Sequence, residues 1–95
     1  MLTIDEYVTS VLMRDLVGHD KRPVSFLVYL WLLAEQKGRE STVQISYQEL
    51  AESIGVSKSS AQTAAGHLAR RKLIHVSKAT VTATPEYRVL SPWRR

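Results

Sequence analysis

The stretch Ser46-Tyr47-Gln48-Glu49-Leu50-Ala51-Glu52-Ser53-Ile54-Gly55-Val56-Ser57 constrains the fold of this chain more than any other. Ser46 and Glu49 stand three apart, so the serine hydroxyl can accept from the Glu49 N–H while the glutamate reaches back to the Ser46 N–H. A helix is therefore predicted to start at Tyr47. Leu50, Ala51 and Ile54 share one face at helical spacing, and Gly55 can take the positive φ at which a helix stops. Val56 returns an apolar side chain to the inside. Ser57 is a second cap, after which Ala61, Ala64, Ala65 and Leu68 repeat as a buried stripe. The pattern is helix, three-residue turn, helix.

These residues resemble the winged helix-turn-helix DNA-binding domains of bacterial regulators, including the GntR-like type and the related domain of plasmid replication initiators. The resemblance covers about residues 23–90. It implies an α+β, mainly α fold: a helix-turn-helix core (23–90) with an extra N-terminal helix (1–18), a small antiparallel β wing and a short basic end (91–95). Ala51 would let the second helix approach, Gly55 would make the turn, and Val56, Ala61 and Ala64 would wedge the two helices together. It also implies duplex DNA as the partner, with residues 58–72 in the major groove. Ser57 and Lys58 at the helix start would then meet phosphate. Ser59, Gln62, Thr63 and Gly66 would lie on the outer face, with His67, Arg70 and Arg71 further along and Lys78 and Arg88 as the cations of the wing. Gln62 suits bidentate pairing with adenine. His67 has a competing intramolecular reading. The helix is rich in alanine and has no arginine before Arg70, and the wing tip lacks Arg and Gly, so backbone contact rather than base reading is expected of the wing.

Charge supports a polyanionic partner. The net charge of +4 divides at the turn: residues 1–56 carry five Lys/Arg against eight Asp/Glu, and residues 57–95 carry eight against Glu86 alone. At 95 residues the chain has room for one domain with one modest core. It has no cysteine, which excludes disulfides and thiolate metal sites and fits a cytoplasmic setting. His19, His67 and His75 lack metal-ligand spacing, and no phosphate loop or nucleophile motif is present, so neither an enzyme nor a cofactor is expected.

Three further elements surround the motif. Thr3 and Glu6 form another capping-box pattern that predicts a helix from Ile4 to Gly18, with Ile4, Tyr7, Val8, Val11, Leu12 and Leu16 in one stripe. That stripe can cover the chain's own core or pair with a second subunit in a homodimer. Its start lacks the basic region and uninterrupted apolar run of a signal peptide. Pro23 opens a helix whose residues 24–33 are almost all apolar, too short to span a bilayer, which marks it as the central core helix, with Tyr29 and Trp31 as core aromatics and Gly38 as its stop. Residues 42–46 read as a short strand, 73–78 and 86–90 as the wing, with Pro85 on an edge strand. A transcriptional regulator is the reading favoured here; a replication or plasmid-maintenance module and a protein-binding winged helix are the alternatives.

Overall fold

The computed structural model describes residues 3–36, 41–80 and 82–93. Gly38 as a helix stop, the turn at Arg39 and Glu40, Val81 in the wing, and Arg94 and Arg95 lie outside them. Helices α1 (Pro23–Glu35), α2 (Tyr47–Ile54) and α3 (Lys58–Arg70) pack against one another, and strands β1 (Val43–Gln44), β2 (Ile74–Ser77) and β3 (Glu86–Val89) form an antiparallel sheet in the order β1-β3-β2. This is a winged helix-turn-helix fold of mainly α character.

The motif forms as its sequence dictates. Ser46 Oγ accepts from Glu49 N–H at 3.1 Å, but the glutamate carboxylate accepts from the Ser46 hydroxyl instead of reaching the backbone, so the box closes side chain to side chain. Gly55 stops α2 at φ 92°, where both its own N–H and that of Val56 bond to the Ala51 carbonyl. Ser57 then caps α3 by accepting from Ser60 N–H. Leu50, Ala51, Ala61, Ala64, Ala65 and Leu68 are all buried. Small side chains at the crossing leave space for α2 and α3 to meet closely.

Helix α1 is the centre of the core. Phe26, Val28, Tyr29 and Leu32 are buried, and the Tyr29 hydroxyl donates to the Leu90 carbonyl at 3.0 Å, which satisfies its one polar group. Leu27 faces outward, so the helix is less completely enclosed than its composition predicts.

The N-terminal helix departs from expectation in two ways. Asp5, not Thr3, caps it by accepting from Tyr7 N–H, and two stretches, Val8–Leu12 and Asp15–His19, are wound as π-helix. Of the two coverings open to its stripe, the fold shows the first: Val8, Leu12 and Leu16 are buried in the common core, and the segment lies against α1. Trp93 closes over this segment from the other end of the chain, stacking on Tyr7 at 4.4 Å and donating from Nε1 to Asp5 at 3.3 Å.

In the sheet, β3 alternates exposed Glu86 and Arg88 with buried Tyr87 and Val89. It is the central strand, which corrects the edge placement of Pro85: β1 pairs with one side of β3 and β2 with the other. Pro85 is nonetheless tolerated because it precedes the ladder and offers only its carbonyl, which accepts from Ile45 N–H at 3.3 Å. Among the described residues, no helix is long and apolar enough to cross a membrane.

Candidate nucleic-acid interface

The exposed surface of α3 is built of two rows of side chains, each spaced by four. Lys58, Gln62, Gly66 and Arg70 form one, Ser59, Thr63 and His67 the other. In the first row Lys58, Gln62 and Arg70 are exposed, and Gly66 leaves a low point between them. Among the described residues a Cβ on Gly66 would meet the Arg70 guanidinium alone, Nη1 at 3.6 Å, so that side chain lies back over the glycine and no neighbouring helix comes within 4 Å of that position. This row faces solvent.

The second row slants toward α1 and leaves the surface at its third member. His67 does not stand on the outer face: its side chain is 12 % exposed, its Nδ1 hydrogen-bonds Ser25 Oγ at 2.9 Å, and its Nε2 lies 3.1 Å from Asp20 Oδ2. Leu68 and Ala64 beside it are core, so an α-helix of about 3.6 residues per turn carries His67 inward with them. Both ring nitrogens of His67 thus face partners within the chain. Arg71, just past α3, is likewise engaged within the chain, paired with Asp15 and, at 3.2 Å, with Asp20.

The winding of the N-terminal segment explains this cluster. In an α-helix residues five apart lie on different sides, whereas π-winding bonds residue i to i+5. The Asp20 N–H bonds to the Asp15 carbonyl at 2.8 Å, and both carboxylates thereby reach one guanidinium. His19 Nδ1 donates to Asp20 Oδ1 at 2.9 Å. That hydrogen bond holds the Asp20 carboxyl below its usual range, with help from Arg71 and against desolvation; the same bond and the Asp15 charge push His19 up. Asp15, His19 and Asp20 bring one potential ligand atom each to within 4.8 Å of one another, but Arg71 and His67 already lie against the carboxylates, so the arrangement is an ion-pair network joining the N-terminal segment to the end of α3. Ser25, Asp15 and Asp20 carry no motif in sequence, and only the fold brings them to His67 and Arg71.

The remaining predicted residues are dispersed. Ser57 is exposed but committed to the cap and to the Ser60 hydroxyl at 2.8 Å. Lys78 leaves the end of β2 with Nζ 5.6 Å from the Tyr47 ring centroid, and Tyr47 in turn meets Tyr87 edge to face. Arg88 points to the outer side of the sheet, opposite His75 in the ladder. Lys58 at one end of α3 and Lys78 and Arg88 on the sheet thus present positive charge on different elements.

The Crp-like helix-turn-helix domain family model matches residues 21–85, from just before α1 to the approach to β3. No curated protein matches the chain. No solved structure matches it either. The match specifies the Crp-like type and does not extend to the GntR-like one. With two thirds of its length in that match and the helix, turn and helix formed by the residues that carry it, the chain belongs to the Crp-like helix-turn-helix domain family, a winged helix-turn-helix DNA-binding domain.

Proposed function

We propose that this domain binds duplex DNA sequence-specifically, with α3 in the major groove, as a bacterial or phage transcriptional regulator acting in the cytoplasm. The observation that carries the reading is the row of exposed Lys58, Gln62 and Arg70 with half-buried Gly66, on a helix whose opposite stripe, Ala61, Ala64, Ala65 and Leu68, is core. In this reading Gln62 pairs with a base edge, Lys58 and Arg70 neutralise phosphate on either side, and the Arg70 guanidinium moves off Gly66 as the duplex approaches. Lys78 and Arg88 on the sheet supply backbone contacts. The reading includes a homodimer, the arrangement in which two helix-turn-helix domains read two half-sites. Its contact would lie on the outer side of the N-terminal segment, where Met13 and Val17 are exposed, since the inner side is already spent on the core.

The experiment is an operator selection from random duplex followed by binding isotherms of the wild type. A selected site bound with steep salt dependence supports the reading. Little affinity for any duplex at low salt refutes it and favours a protein-binding winged helix.

A further inference from the structure

A cleft of about 260 Å³ opens between the residues leading into α1 and the first turns of α3. Two cations, Lys21 and Arg22, line one side and three hydroxyls, Ser59, Ser60 and Thr63, the other; none of the described residues lining it is acidic. This is notable in a half of the chain with a net negative charge, where Asp20 is the immediate neighbour of Lys21. The Asp20 carboxylate is turned away, toward His67, His19 and Arg71. The network described above therefore pairs that carboxylate, and Asp20 is not among the residues lining the cleft.

We infer that this cleft receives one phosphodiester of the duplex whose major groove takes α3. The inference rests on the DNA-binding reading and extends the interface from α3 onto the turn before α1. Its size suits a small group: at about 260 Å³ it is smaller than the roughly 300–1,000 Å³ typical of small-molecule sites, and it is open to solvent. Its chemistry decides the charge. Lys21 and Arg22 supply positive charge, and the Ser60 hydroxyl, which accepts from Ser57 at 2.8 Å, keeps its own proton free to donate. The first turn of α1 adds the positive end of its dipole. Ser59 and Thr63, in the row that slants toward α1, are then phosphate ligands, and base reading falls to the Gln62 row.

The test uses the whole chain with Lys21→Asn and Arg22→Gln combined. Asn suits the left-handed backbone at position 21, where φ is 56°. Thermal melting establishes that the double variant keeps its fold; if it does not, Arg22→Gln alone is used, since only the backbone of Arg22 bonds into α1. Affinity should fall by the same factor on the selected site and on scrambled duplex, and the salt slope should become shallower by about 0.9 for the one phosphate released. Inorganic phosphate is titrated in parallel, with the Ser59 and Ser60 amide resonances as the probe. A wild type that binds duplex while the variant keeps its full slope overturns the inference and leaves the DNA reading intact. Saturable phosphate binding at these amides with an unchanged slope likewise overturns it, in favour of a free-anion site. A wild type that binds no duplex overturns both.

Discussion

Replacing Gly66 by alanine should make the domain more stable and its DNA complex weaker. Glycine in a helix interior costs about 0.8–1.0 kcal/mol relative to alanine, and position 66 lies well inside α3. An added Cβ would meet only Arg70 Nη1, at 3.6 Å, which is ordinary van der Waals contact with the end of a flexible side chain. No steric term therefore opposes the propensity gain, and the backbone is helical, not left-handed. The expected stabilisation is about 1 kcal/mol, which for a domain of this size raises Tm by roughly 4–8 °C. Thermal and urea melts measure it directly. The same methyl stands in the row with Gln62, so the duplex must retreat from it, and Gly66→Leu should retain a helical far-ultraviolet spectrum while abolishing binding. A lower Tm for Gly66→Ala would refute the packing argument. A raised Tm with unchanged DNA affinity for both variants would remove Gly66 from the interface.

Three other outcomes follow from the burial and charge network. Val8→Asp with Leu12→Asp puts two carboxylates at positions that are 1 % and 3 % exposed, so the domain should unfold, as loss of its cooperative melt would show; retention of the wild-type melt would mean the stripe is not core. Ser25→Ala leaves His67 Nδ1 without its partner and should cost about 1–3 kcal/mol in urea melts; an unchanged melt would show that the bond adds nothing to stability. Asp20 has a native pKa below its ordinary 3.8, so its stabilising contribution is present above that value and lost as pH falls through the lower native one; Asp20→Asn should flatten the stability profile below about pH 4. An unaltered acid limb in that variant would show the carboxylate to be uncoupled from folding.

Local signals made most of the motif legible. Ser46, Gly55 and Ser57 act on backbone groups within a few residues, so their spacing alone places two helix starts and one stop. The stripe from Ala61 to Leu68 is equally local, and it implies the exposed row opposite it. Register and winding were not legible. β3 becomes central because residues 43 and 44, far away in sequence, pair with its free side. The π-winding that brings Asp15 and Asp20 together has no compositional mark, and without it the capture of Arg71 cannot be read.

The central claim is that α3 reads bases through Gln62 while cations around it hold phosphate. Binding isotherms for the wild type, Gln62→Ala and Lys58→Ala, on a selected operator and on scrambled duplex at several salt concentrations, test it most directly. Gln62→Ala should lose about 1–3 kcal/mol on the operator and little on scrambled DNA, with its salt slope intact. Lys58→Ala should weaken both duplexes alike and reduce the slope by about one unit. Equal losses on both duplexes for Gln62→Ala, or an unchanged slope for Lys58→Ala, would contradict the placement of this helix in the groove.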